Sequence, residues 1–216
     1  MSNTRLYVHV LLDRSGSMES CRDATIEAYN SYVQSLKVHE ATMTRLSLTL
    51  FDGQGIDTVI DNRPVGVVPA LDRESFVPRG STPLYDAIGR AVETIDVTKL
   101  AEGEAVALVI VTDGYENASR EHNSASIKAL LKDRQLAKGW LVLYLGANQD
   151  AWAEAARIGV GGAHALEFNM EHVQFALAGA ARSTVAYSRT GDRLLGGFDD
   201  EAREKSAPAM LRRKPG

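Results

Sequence analysis

Cysteine is nearly absent from this 216-residue chain: Cys21 stands alone, so no internal disulfide can form and nothing points to an oxidising compartment. Long apolar runs are missing as well. The longest, such as Ala105 to Val111, fall far short of the roughly 18 residues of a membrane span. The apolar stretch Leu6 to Leu12 contains His9 and runs into Asp13 and Arg14, without the small-residue cleavage site of a secretion signal. Basic residues are in slight deficit, 24 Lys and Arg against 28 Asp and Glu for a net charge of −4, which removes the electrostatic footing of a nucleic-acid binder. Aromatics make up 6%, and 18 glycines with 6 prolines are ordinary usage, excluding collagen-like or low-complexity material. What remains, 44% apolar and 24% charged residues, describes a cytoplasmic globular chain long enough for one sizeable core.

The runs Leu6 to Leu12, Ala105 to Thr112 and Trp140 to Leu145 are short, rich in Val and Leu and not cleanly alternating, as central strands of a parallel sheet covered on both faces should be. Between them Ile26, Tyr29, Val33, Leu36 and Leu84, Ile88, Ala91, Ile95 recur at helical spacing. Arg45 to Phe51 and Ile56 to Ile60 flank Asp52-Gly53-Gln54-Gly55, where glycines with positive φ would make a tight hairpin and hence an antiparallel edge strand. Ala151 to Ile158 reads as a short helix ending near Gly159, Ala163 to Phe168 as a last strand, and His172 to Ser188 as a terminal helix. The sum is a three-layer α/β/α sandwich: a doubly wound, mostly parallel sheet with one antiparallel edge strand. One domain is expected over residues 1–190. From Gly191 the charged composition predicts a flexible tail over 191–216, ending Arg212-Arg213-Lys214-Pro215-Gly216.

The chemistry gathers where strands end. Asp13-Arg14-Ser15-Gly16-Ser17 follows the first strand, at the carboxyl edge where open α/β sheets bind ligands. Near-extended geometry aims alternate side chains the same way, so Asp13, Ser15 and Ser17 can converge. Asp113-Gly114 delivers a second acid to that edge from Ala105–Thr112. Arg79-Gly80-Ser81-Thr82-Pro83 brings a hydroxyl before the Leu84 helix, with Pro83 suited to the first helical position and Thr82 or Ser81 to the N-cap. Singly, Thr82 reads as a cap and each Asp as a turn former; jointly they read as one site. Two carboxylates with hydroxyls and no Cys or His suit Mg²⁺ or Mn²⁺ rather than Zn²⁺, and two Asp balance a divalent charge while leaving room for one strong ligand.

Asp13-x-Ser15-x-Ser17, Thr82 and Asp113-Gly114 resemble the metal-ion-dependent adhesion site (MIDAS) of von Willebrand factor type A domains, over roughly Arg5 to Ser188. The resemblance implies a Mg²⁺ held directly by Asp13, Ser15, Ser17 and either Thr82 or Asp113, with water between. It also implies a partner protein whose Asp or Glu completes the metal, and exchange of the direct bond from Asp113 to Thr82 as that acid arrives. Without secretion signal or disulfides, the implied type is an intracellular bacterial or phage scaffold.

Around these residues, Arg14 is expected to pair with neighbouring Glu19, while Asp86 and Asn117 read equally as supports of loops or waters and as a helix cap or turn former. Gly146 to Asp150 should form part of the rim, with Trp152 packed in the core rather than exposed there. Cys21 reads as a half-buried helix residue. The scattered His9, His39, His122, His164 and His172 form no triad, so the leading reading is a non-enzymatic, metal-dependent protein-interaction module. One alternative is a Mg²⁺-dependent phosphohydrolase with Asp13 as nucleophile, although Ser15 stands where a second Asp would be needed. Another is a nucleic-acid-associated scaffold domain. No phosphate-binding glycine motif follows a strand.

Overall fold

The computed structural model describes residues 5–40, 43–147 and 150–207. Its strands are β1 (Leu6–Asp13), β2 (Thr44–Asp52), β3 (Gly55–Pro64), β4 (Ala105–Thr112), β5 (Leu141–Ala147) and β6 (Ala165–Phe168). They form one sheet in the order β3-β2-β1-β4-β5-β6, parallel except for the β2–β3 edge pair. The helices are α1 (Arg22–Glu40), α2 (Leu84–Val97), α3 (Ser124–Ala137), α4 (Ala151–Arg157), α5 (Val173–Thr190) and α6 (Asp200–Ser206). This is the expected doubly wound sheet with one antiparallel edge.

All eight residues of β1 and of β4, and all seven of β5, are buried, which explains why these runs lack the polar alternation of one-sided strands. Alternate β1 residues feed two cores. Leu6, Val8, Val10 and Leu12 pack under α1, α5 and α6 with Tyr29, Leu36 and Leu177. Tyr7 and Leu11 pack on the opposite face with Ile88 and Val92 of α2, Ile127 and Leu131 of α3, and Ala151 of α4. Helix α3 carries so narrow an apolar stripe that periodicity alone passes over it. Its local mark is a capping box, in which the Asn123 side chain accepts from Ser126 N–H and the Ser126 hydroxyl from Asn123 N–H.

Two expectations require correction. The β2–β3 turn does not use positive φ at Gly53 or Gly55. Asp52 Oδ1 closes it instead, accepting from Gln54 N–H at 2.7 Å and Gly55 N–H at 3.2 Å, and Gly53 is needed because a β-carbon there would meet Ser81 Oγ at 2.5 Å. The expected tail is folded from Gly191 to Ala207, and 208–216 lie outside the described residues. Gly191, left-handed at φ 68°, ends α5. The chain then returns to bury Phe198 and Ala202, with Arg203 donating to the carbonyls of Gly162, Ala163 and Ala165. Charged composition conceals this docking because it rests on small residues: a β-carbon at Gly179 of α5 would lie 2.7 Å from Ala202 Cβ of α6.

Gly179→Ala therefore sets a helix-propensity gain of about 1 kcal/mol against an overpacking cost of about 1–3 kcal/mol. Overpacking should win locally. Tryptic cleavage at Arg203 and Lys205 should accelerate; unchanged cleavage with raised thermal stability would show that α6 does not depend on this contact.

Candidate functional site

Strands β1 and β4 lie side by side, and the chain leaves their carboxyl ends toward opposite faces, β1 into α1 and β4 into α3. Such a divergence opens a crevice at the carboxyl edge. The register sets Leu12 beside Val111, so the residues that follow emerge at the same level.

Asp13, the last residue of β1, is wholly buried. Its Oδ1 accepts from Ser15 N–H at 2.7 Å and its Oδ2 from the Thr112 hydroxyl at 2.6 Å. Burial pushes its carboxyl up to about 6, against these hydrogen bonds and with a further push from nearby Asp113. Ser15 Oγ lies 3.1 Å from Ser17 Oγ, and Ser17 Oγ donates to Asp113 Oδ1 at 2.7 Å. The Asp113 carboxyl is also raised, chiefly by burial. Thr82 is buried beside them: its Oγ1 would be 2.9 Å from a β-carbon at Gly114, so only glycine admits this approach. The structure thus brings Asp13, Ser15, Ser17, Thr82 and Asp113 to one edge.

Thr82 does not cap α2. Pro83 occupies the N-cap position rather than the first helical one, with no side-chain cap bond, because the loop after β4 supplies the partners. Glu116 Oε2 accepts from Tyr85 N–H at 2.9 Å and Ser119 Oγ from Asp86 N–H at 3.1 Å. Asn117 clamps Thr82, its Oδ1 accepting from Thr82 N–H at 2.9 Å while its N–H donates to Thr82 carbonyl at 3.2 Å. Asp86 accepts from the N–H groups of Arg120, Glu121 and His122. Asn117 and Asp86 are loop supports. Glu116 and Thr112 are supports that sequence reading missed; the one available signal was a hydroxyl directly before Asp113.

Arg14 does not pair with Glu19, which lies 3.6 Å from Arg22 instead. The Arg14 guanidinium reaches Asp52 at the end of β2 at 2.6 Å and Asp57 of β3 at 2.8 Å. Arg79 joins Asp52 from the other side at 3.0 Å. Burial alone would raise the Asp52 carboxyl, but the Gln54 N–H and both guanidinium groups hold it below the usual range. Backbone bonds Arg79 N–H to Arg14 carbonyl, 2.8 Å, and Gly16 N–H to Gly80 carbonyl, 3.0 Å, splice the loops together.

Of the expected rim, Gly146 and Ala147 complete β5 and Asp150 caps α4 at Ala153 N–H; Asn148 and Gln149 lie outside the described residues. Trp152 is 38% exposed rather than packed in the core, because α4 turns its alanines inward. Cys21 is buried, not half-buried, in the short turn before α1, its thiol pushed up to about 11 by burial. His9 is buried against Thr49 Oγ1 at 2.9 Å, and burial lowers it to about 3. Among the described residues no three His, Cys, Asp or Glu side chains gather as metal ligands. The donor set is two carboxylates and three hydroxyls, all hard oxygens, which fits Mg²⁺ or Mn²⁺.

No family model and no curated protein matches the chain. Solved structures do. Proximal thread matrix protein 1 from the mussel byssus aligns at 16% identity and TM-score 0.61 over 81% of this chain and 46% of its own; another structure of it is described with a zinc-occupied MIDAS motif. The pilus adhesin SpaC from Lactobacillus rhamnosus GG aligns at 13% identity and TM-score 0.64, over 86% of this chain and 30% of its own. A von Willebrand factor type A protein from Catenulispora acidiphila aligns at 13% identity and TM-score 0.58, over 86% and 44%. The chain spans less than half the length of each of these three neighbours. Strand order, the antiparallel edge pair and these alignments agree: the chain has the von Willebrand factor type A fold.

Proposed function

We propose that the chain is a non-enzymatic, metal-dependent protein-interaction module that binds the Asp or Glu carboxylate of a partner protein through Mg²⁺ or Mn²⁺. The observation that carries this reading is the chain of oxygens from buried Asp13 through Ser15 and Ser17 to Asp113, with Thr82 Oγ1 alongside Gly114. Asp13, Ser15, Ser17, Thr82 and Asp113 would hold the metal, which supplies a Lewis-acidic centre for an outside carboxylate. The zinc of proximal thread matrix protein 1 supports metal binding by this fold; the hard oxygen set here favours Mg²⁺ or Mn²⁺. The partner is a protein, not nucleic acid or a membrane, and no described helix is long and apolar enough to cross a bilayer. A cytoplasmic setting is part of the proposal and is supported by the lone cysteine, which allows no internal disulfide.

Mg²⁺ or Mn²⁺ should raise the melting temperature of the wild type but not of Asp13→Ala, by about 2.7 kcal/mol in stability at a hundredfold excess over Kd. Equal shifts would remove Asp13 from the site. In EDTA the sign reverses for Asp13→Asn. The native Asp13 carboxyl titrates at about 6 against an ordinary 3.8, so the folded state holds its proton more tightly and wild-type stability falls as pH rises through that window. At pH 7 the Asn variant should be more stable by on the order of 2–3 kcal/mol, measured by urea unfolding, and the gain should vanish below pH 4.

Thr82→Ala separates capture of a partner from binding of a metal. Partner affinity should fall roughly ten- to a hundredfold, about 1.5–3 kcal/mol, with metal affinity much less affected; calorimetric titration of both ligands decides it. Unchanged partner affinity in Mg²⁺, or equal binding in EDTA, contradicts carboxylate capture.

The phosphohydrolase alternative requires Asp13 as nucleophile, yet both its oxygens already accept hydrogen bonds. Purified protein with Mg²⁺ should leave p-nitrophenyl phosphate and nucleoside triphosphates intact. Turnover abolished by Asp13→Asn would replace the interaction module with the enzyme.

A further inference from the structure

We propose a second, metal-independent docking surface: a basic groove beside α3 that takes an acidic, leucine-bearing peptide segment of a partner protein. The groove encloses about 520 Å³ and lies between the carboxyl half of α3, the glycine turn after α4 and the segment after α5. Its lining shares no residue with the Asp13 site.

Three cations border it, Lys128 and Lys132 of α3 and Arg193 after α5, and no Asp or Glu lines it. Among the described residues none of the three side chains makes an ion pair or hydrogen bond. That contrasts with Arg14, Arg45, Arg134 and Arg182, each matched to an acid. Lys128 and Lys132 are one helical turn apart, a like-charge pair that opposes the helix carrying it. In a chain of net charge −4, three unneutralised cations around one concavity make it a local attractor for acidic groups.

The same groove is apolar at its margins. Leu136 is 63% exposed and Leu194 70% exposed, and both line it with Gly161 and Gly162. The glycines leave the floor open to close approach by a peptide backbone, and the Lys128 stem lies over Gly159, within 3.2 Å of where a β-carbon would stand. Aliphatic margins with a basic rim complement alternating acidic and aliphatic side chains. Single-stranded nucleic acid is the poorer match, because no Phe, Tyr or Trp lines the groove to stack a base and its one imidazole, His164, is buried.

The test uses the full chain in excess EDTA, so that metal-mediated capture makes no contribution and the outcome is independent of the function proposed above. A fluorescein-labelled peptide of alternating Glu and Leu is titrated by anisotropy, beside a Gln/Leu peptide and an oligothymidylate of equal charge. The Glu/Leu peptide should bind, more weakly as salt is raised. Lys128→Glu with Lys132→Glu should weaken it roughly tenfold or more, and Leu194→Ser should weaken it several-fold. All three positions are exposed, so the fold is kept, and an unchanged far-ultraviolet circular dichroism spectrum and melting temperature of the variants verify it. Failure of the Glu/Leu peptide to bind, equal binding of the Gln/Leu peptide, indifference to the lysine reversals, or tighter binding of the oligothymidylate each overturns the proposal.

Discussion

The burial of one carboxylate, Asp13, beside a second acid governs the carboxyl edge of this molecule. An ionised carboxylate out of water is costly unless donors or a counter-charge meet it. The Ser15 N–H and Thr112 hydroxyl offset part of that cost, and the raised carboxyl of Asp13 measures what they leave. Asp113, a short step away through Ser17, adds to the strain rather than relieving it. A divalent cation at this point would convert the residual repulsion into binding free energy, so the feature that weakens the fold in isolation strengthens it under the proposed function.

Keeping five oxygens in register on loops requires a frame, and with a lone cysteine it cannot be covalent. Acids used more than once supply it. Asp52 closes its own hairpin turn and receives both Arg14 and Arg79, tying the loop after β1 to the loop before α2. Glu116 caps α2 from the loop after β4 while binding its own backbone at Ala118 and Ser119. Asp86 returns the connection by collecting three amides of that loop. The three site loops are therefore held to one another, and none of the three acids of the frame, Asp52, Asp86 and Glu116, is one of the five site residues.

The two proposed surfaces would attract acids by opposite means. The Asp13 edge is itself acidic and can welcome a carboxylate only through a cation, whereas the α3 groove is basic and needs none. They lie on different parts of the fold, so a single partner could engage both or two partners one each without competing for the same groups.

Much of this was legible in the chain. Runs of Val and Leu buried on both faces announce central parallel strands; Asp13, Ser15 and Ser17 at every second residue, and Asp113 directly after a strand, announce a shared edge, because local geometry alone aims those side chains. Long-range pairing was not legible. Arg14 passes over Glu19 for Asp52, 38 residues away, and Thr82 leaves its helix end to Glu116. Gly179 and Ala202 dock a charged segment that composition reads as a tail, and Lys128, Lys132 and Arg193 become a groove only when α3 and the return from α5 come together. The sequence by itself determined which strands exist and which oxygens leave them, since both follow from spacing along the backbone. Only the tertiary structure decided which charges are neutralised and which stand alone, since that depends on what distant segments bring within about 4 Å.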